Sequence, residues 1–435
     1  MSISFRGTYQ ASRRMVRRLA HVIARPVKKD RGSGGLLIQP FYGYGSAEEY
    51  FLMGRVFRQP RFSSRFSASF AQRDLLDVVR RVFRKGVSNA VLIAQHEQLS
   101  TTDAPATRVQ TDRDGYFQVR LQPPQRPSSE KQWHQVDLEL VEPAKFADDV
   151  GAKAQGLVYV PPRDAKRVII SDIDDTVMFT GVVNKLKMVW RLFVLGPASR
   201  VAFPGVASLY RALHDGPSQD QLNPMLYVSR GPWSIYEILQ EFFRLHEIPV
   251  GPILFLREWG MSLQRPLPPR AEDHKLNLIR DMLKLYHDLP FVLIGDSGQH
   301  DPEIYAQIVQ EYPGRVQAVY IRNVSDSDER VRAIEELAKQ VVAEGSSLML
   351  AADSFAMAQH AAEHGLIAPS ALEDILCEQS TEQGGTAVLR TRKLKQSTEQ
   401  KTKRMVEQGA IREALQTHKT DEVPPNVTIE SEEDR

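Results

Sequence analysis

The apolar positions of this chain change their rhythm near residue 165. Between Gly34 and Pro162 they come in short alternating or aromatic-rich runs, at Tyr50–Phe57, Val91–Ala94, Tyr116–Leu121 and Val136–Leu140, separated by polar turns such as Asp112-Arg113-Asp114-Gly115. Alternation with period two, bounded by turn residues, predicts strands, so this stretch reads as a small β-rich sandwich or barrel. One helix is predicted inside it, because Arg73–Lys85 sets Leu75, Leu76, Val78, Val79, Val82 and Phe83 at mostly helical spacing.

From Lys166 onward, apolar runs at Val168–Ser171, Met225–Ser229, Ile253–Leu256, Phe291–Ile294, Val316–Ile321 and Leu348–Leu350 alternate with helical patterns. Strands and helices in alternation require crossover connections and therefore predict an α/β fold with a parallel sheet. Pro161-Pro162-Arg163-Asp164 reads as the linker between the two regions. After about Ser370 the chain is rich in Glu, Gln, Lys, Thr and Ser, which predicts a flexible tail with a solvated helix over Lys395–Gln416. The expected partition is a basic extension over 1–33, a β-rich domain over 34–162, a catalytic α/β domain over 163–370 and a polar tail over 371–435.

Composition narrows the function classes. The 435 residues, 42% of them hydrophobic, suffice for two or three cored domains. A net charge of +2 gives no global field for nucleic acid, so no nucleic-acid partner is expected. The single cysteine, Cys377, permits no internal disulfide and suits a reducing compartment. Arg13, Arg14, Arg17, Arg18, Arg25, Lys28 and Lys29 break up the first segment, which therefore lacks an ordinary secretory apolar core. Met188–Leu195 is too short to span a bilayer and is split by Arg191. A cytoplasmic protein is expected, and peripheral contact with a membrane surface stays open. Asn184–Leu195 interleaves Lys185, Lys187 and Arg191 with Leu186, Met188, Val189, Trp190, Leu192 and Phe193; it reads equally as an amphipathic cap helix meeting lipid and as a helix packed on the core.

The chemistry lies at strand ends. Asp172 and Asp174 follow the run Val168-Ile169-Ile170, while Asp296 and Asp301 follow Phe291-Val292-Leu293-Ile294. The carboxyl ends of parallel strands share one edge, so these acids are expected to converge. Crowded carboxylates repel one another, and a hard cation such as Mg²⁺ among their oxygens makes the crowding tolerable. Phosphate monoesters hydrolyse very slowly unaided, so a site for them needs a placed nucleophile and strong charge neutralisation. Asp172 is the candidate nucleophile, Asp174 the candidate acid and base, and Asp172, Asp296 and Asp301 the candidate metal ligands. Thr176, bracing the turn, joins Ser229, Arg230 and Lys275 as the phosphate-binding set, Lys275 offsetting charge on the aspartate and the phosphate. Asp175 reads as a turn residue, His300 stays outside the set, and Trp233 fits core packing as well as a substrate wall.

This order of motifs resembles the haloacid dehalogenase superfamily of phosphotransferases, with the first motif on Asp172, Asp174 and Thr176, the strand-end hydroxyl on Ser229, the lysine on Lys275 and the acidic last motif on Asp296 and Asp301. The resemblance implies a Rossmann-like parallel-sheet haloacid dehalogenase core, here with a separate β-rich amino-terminal domain, an obligatory Mg²⁺, and a metal contact from the Asp174 carbonyl. The flanks Thr180-Gly181, Asn184–Lys187, Phe203-Pro204-Gly205-Val206, Val228–Trp233 and Gly295–Tyr305 are similar to the actin-patch-associated phosphatidate phosphatase family, including bacterial members with a β-rich amino-terminal domain. That closer resemblance spans about Gly34 to Ile367 and implies Mg²⁺-dependent conversion of phosphatidate to diacylglycerol and phosphate. Two other readings stay open: a phosphatase of a soluble phosphate monoester, and a catalytically silent binding or scaffold protein.

Overall fold

Alternation in the first part of the chain is expressed as eight strands: β1 (Leu36–Pro40), β2 (Gly43–Gly45), β3 (Tyr50–Arg58), β4 (Val91–His96), β5 (Thr107–Gln110), β6 (Tyr116–Leu121), β7 (Trp133–Glu142) and β8 (Lys153–Tyr159). The computed structural model describes residues 36–58, 86–96, 106–123, 132–143, 152–173, 176, 202–230, 233–255 and 271–383. The strands form one sheet in the order β1-β3-β2-β8-β7-β4-β5, with β6 also paired to β3. In β6 the residues Phe117, Val119 and Leu121 are buried and Gln118 and Arg120 exposed, as a half-buried antiparallel strand requires. Those side chains meet Leu52, Val56, Leu92, Val136, Leu138 and Val158 in a core belonging to this sheet.

The second sheet has six strands, β9 (Val168–Asp172), β10 (Met225–Ser229), β11 (Ile253–Phe255), β12 (Phe291–Asp296), β13 (Val316–Arg322) and β14 (Ser347–Ala351), and every pairing in it is parallel. Each lies within two residues, at either end, of a run read as a strand from the sequence. Among the described residues, seven helices accompany them: α1 (Val206–Asp215), α2 (Tyr236–Leu245), α3 (Ala271–Leu285), α4 (Asp301–Glu311), α5 (Asp328–Ala343), α6 (Ser354–Glu363) and α7 (Ala371–Gln383). Successive strand residues point to opposite faces. Ile169, Tyr227, Val292 and Tyr320 therefore pack against α1, α2 and α6. Val168, Ile170, Leu293 and Val319 pack against α3, α4 and α5. Both faces of the parallel sheet are covered, which is why its strands read as unbroken apolar runs.

The strand order is β11-β10-β9-β12-β13-β14. The chain leaves β9 in one direction to lay down β10 and β11, then returns to the other side of β9 for β12. The order thus reverses between β9 and β12, the position at whose strand carboxyl ends open α/β sheets take their ligands.

The two sheets belong to one compact unit that ends at Glu382. Phe41 and Met53 of the first sheet share a core with α2, the Tyr42 N–H donates to Tyr236 Oη at 2.6 Å, and Tyr159 Oη donates to the Leu222 carbonyl at 2.7 Å. One expectation is corrected. Ala371–Gln383, read from its polar composition as the start of a flexible tail, is a helix that buries Ile375 and donates from Gln379 Nε2 to Asp353 Oδ2 at 3.1 Å. Ile375, with Ala371 and Leu372 packed partly buried beside it, and polar contacts including Arg211 Nη2 to Glu378 Oε2 at 3.0 Å seat it. No helix among the described residues is long and apolar enough to cross a membrane. The predicted helix over 73–85, the amphipathic segment 184–195, the basic extension and the predicted helix over 395–416 lie outside the described residues.

Candidate active site

Asp172 is the last residue of β9 and Asp296 the last of β12, adjacent strands on either side of the reversal in order. Asp301 opens α4 after the loop Ser297–His300. All three side chains are buried, and one carboxylate oxygen from each lies within 4.8 Å of those of the other two. The apolar strands deliver the acids to the sheet edge. The alternation that turns Val168 and Ile170 toward α3 and α4 gives Asp172 the same facing.

The loop between Asp296 and Asp301 is tightly built. Gly298 N–H donates to Asp296 Oδ1 at 2.7 Å, and Asp296 N–H donates to Asp301 Oδ2 at 3.3 Å. Ser297 Oγ accepts from the Val324 and Ser325 N–H groups at 2.9 and 3.1 Å. Arg330 of α5 donates to the carbonyls of Ser297 at 2.8 Å and Gln299 at 2.6 Å, and it pairs with Glu303. Position 295 must be glycine for this packing, since a Cβ there would sit 2.3 Å from Asp301 Oδ2.

Lys275, in α3, is wholly buried and donates to Asp172 Oδ1 at 2.7 Å and Asp301 Oδ1 at 2.6 Å. Burial pulls its ammonium pKa down, but the two carboxylates overcome this and hold it well above the ordinary lysine value. Asp296 moves in the opposite sense for an acid. Burial, and then the charge of Asp301, push its carboxyl up to about 7, against Lys275, the Gly298 N–H and the Gln299 amide. Among the described residues, three carboxylates thus lie beside one ammonium, in an all-oxygen donor set.

Ser229 ends β10, next to β9; Val228 is in register with Asp172, so Ser229 stands one position further along the same edge. Arg230 follows it. Trp233 then begins a 3₁₀ turn (Trp233–Ile235) leading into α2 and stacks on Phe41, with ring centroids 4.8 Å apart and planes 18° apart. Trp233 is therefore core packing. Thr176 is buried; its carbonyl accepts from Arg322 Nε at 3.1 Å, and its hydroxyl has no hydrogen-bond partner among the described residues. Asp174 and Asp175 lie outside the described residues. His300 is exposed, 3.9 Å from Glu272.

The structure brings Asp172, Asp296, Asp301 and Lys275 into contact and sets Ser229 and Arg230 on the same sheet edge. Three residues were not singled out from the sequence. Gln299 donates from Nε2 to Asp296 Oδ2 at 2.7 Å, Arg330 grips the acidic loop, and Arg322 anchors the Thr176 backbone while donating to Ser354 Oγ at 2.9 Å. The Arg322 guanidinium is buried over the Phe203 ring, and burial lowers its pKa to about 10. Only Gln299 carried a signal, its place inside Gly295-Asp296-Ser297-Gly298-Gln299-His300-Asp301.

Residues 167–323 match the family model for the catalytic domain of phosphatidate phosphatase APP1. Phosphatidate phosphatase APP1 of Saccharomyces cerevisiae is 31% identical over 168 residues, 39% of this chain and 28% of that protein. An uncharacterised protein of Schizosaccharomyces pombe is 32% identical over 167 residues, 38% of this chain and 26% of that protein. The chain thus spans about a quarter of the length of these curated relatives. The matched segment contains Asp172, Asp174, Thr176, Ser229, Arg230, Lys275, Asp296 and Asp301; the β-rich sheet lies outside it.

Proposed function

We propose that this chain is a Mg²⁺-dependent phosphatidate phosphatase, hydrolysing phosphatidate to diacylglycerol and phosphate through an aspartyl-phosphate on Asp172. The observation that carries the reading is the meeting of Asp172, Asp296 and Asp301 around the buried Lys275, within the segment similar to the APP1 catalytic domain. The order of motifs also resembles the haloacid dehalogenase superfamily.

The donor set suits Mg²⁺, because carboxylate oxygens without thiol or imidazole are what a hard cation takes. Among the described residues one ammonium does not balance three buried carboxylates, and burial, then the charge of Asp301, pushes the Asp296 carboxyl up to about 7. Asp172, Asp296 and Asp301 would hold the ion together with the Asp174 carbonyl. When bound, it supplies positive charge against the phosphoryl oxygens.

The protein's own groups do the rest. Lys275 fixes Asp172 Oδ1, its positive charge favours the ionised carboxylate, and the Asp172 carboxylate would attack phosphorus. As the new bond forms, the bond from phosphorus to the glyceryl oxygen breaks, and Asp174 gives that oxygen its proton. Asp174 then takes a proton from water, whose oxygen attacks phosphorus and frees Asp172. Ser229 and Arg230 would bind the remaining phosphoryl oxygens. The basic and aromatic pattern over 184–195 supports an approach to a lipid surface, where the substrate resides.

The test is Mg²⁺-dependent phosphate release from phosphatidate in mixed micelles, compared with glycerol phosphate. Preference for the lipid supports the proposal. Preference for glycerol phosphate would favour a soluble-ester phosphatase, and release from neither would favour a silent binding protein.

A further inference from the structure

The Gln299 amide stands between the two strand-end carboxylates. Its Nε2 is 2.7 Å from Asp296 Oδ2 and 3.5 Å from Asp172 Oδ2, so one nitrogen with two N–H groups faces both acids. The third acid, Asp301, is held by Lys275. The Gln299 backbone is pinned by the 2.6 Å bond from Arg330 to its carbonyl, and Arg330 is itself fixed by Glu303 and the Ser297 carbonyl.

We propose that Gln299 is an electrostatic stand-in for the divalent cation. Its amide N–H groups hold Asp172 and Asp296 together while the cation is absent, and they give way when it binds. The inference rests on the Mg²⁺ reading above. An amide N–H has no lone pair to offer a metal, and it engages oxygens that Mg²⁺ would need. Binding the cation must therefore break a charge-assisted hydrogen bond, with the amide swinging aside or turning its oxygen inward. Gln299 is a positioning residue: it steadies the acids in the ion-free protein and lowers cation affinity by competing for their oxygens.

This sign is the opposite of the one expected for an ordinary ligand. Gln299→Leu, of similar reach but without a donor, removes the competitor and raises Mg²⁺ affinity by about tenfold, the change that corresponds to one hydrogen bond to a charged group. The same variant unfolds at lower temperature in EDTA, because the two acids then face each other without the amide. Gln299→Asn, one methylene shorter, moves both quantities in the same direction and serves if the leucine variant does not fold.

Isothermal titration of Mg²⁺ into the full chain, with thermal unfolding in EDTA, measures both. Tighter binding together with a lower EDTA midpoint supports the proposal. Weaker Mg²⁺ binding in both variants would make Gln299 a cation ligand, and unchanged binding would make it a loop residue; either overturns the inference while the Mg²⁺ reading stands. A wild-type chain that takes up no Mg²⁺ would overturn the Mg²⁺ reading itself, and this inference with it.

Discussion

Lys275 Nζ lies 2.7 Å from Asp172 Oδ1, and both side chains are wholly buried. The ammonium reaches Asp301 as well, so one cation holds two acids from different elements. Lys275→Met would leave both carboxylates buried beside Asp296 without that ammonium. Breaking such a pair costs about 3–5 kcal/mol. Urea unfolding in EDTA should show a loss of that order, and added Mg²⁺ should recover part of it. An equal loss with and without Mg²⁺ would contradict this account of the charge balance.

The Asp296 carboxyl gives a pH dependence with a definite sign. Its folded pKa of about 7 lies above the ordinary 3.8, so below 3.8 it is protonated in both the folded and unfolded chain. Between the two values the unfolded chain sheds the proton more readily, and the ion-free protein loses stability as pH rises through that window. Asp296→Asn has no proton to shed. Its stability relative to wild type in EDTA should increase from about pH 4 to about pH 8, by up to about 4 kcal/mol. A difference independent of pH would refute the assignment.

Gly295 offers a steric test of the same centre. The added methyl of Gly295→Ala would meet Asp301 Oδ2 at 2.3 Å and displace that carboxylate. Overpacking of this kind costs about 1–3 kcal/mol of stability. Mg²⁺ affinity, measured by titration calorimetry, should fall by about tenfold or more, as it would if that strain fell on the loaded site. Unchanged affinity would show that the Asp301 position is not needed for the ion.

Phe41, just after β1, touches the segment that follows Ser229 and Arg230. That ring stacks on Trp233 and lies 4.3 Å from the Tyr236 ring by centroid, just beyond Ser229 and Arg230 in the chain. Phe41→Leu keeps most of the apolar volume but loses the aromatic contacts, worth about 0.5–1.5 kcal/mol. The KM for the phosphate ester should rise several-fold with little change in kcat. A fall in kcat at constant KM would place the effect elsewhere.

The legible part of this protein is the part buried on both sides. Val168-Ile169-Ile170 and Phe291-Val292-Leu293-Ile294 read as strands because both faces of their sheet are covered, and the acids at their ends follow from them. Lys275 was legible through motif order alone, since 103 positions separate it from Asp172. In the first sheet, β5 buries none of its residues, β2 has only three, and β8 is interrupted by Gly156, so their periodicity is faint. Gln299 looks like a turn residue until the strands bring Asp172 beside Asp296. Arg322 reaches the Thr176 carbonyl across 146 positions, and no local pattern announces such a contact. Ala371–Gln383 was misread because composition registers polarity but not the one buried isoleucine and the polar bonds that seat the helix.

The most direct test is chemical trapping at Asp172. Wild type and Asp172→Asn would be exposed briefly to phosphatidate carrying radiolabelled phosphate in the presence of Mg²⁺, quenched in acid and mapped by peptide. The account predicts a hydroxylamine-sensitive label on the wild-type peptide that contains Asp172, and neither label nor turnover in the variant. Label on another residue, or an Asp172→Asn protein that releases phosphate at the wild-type rate, would contradict it.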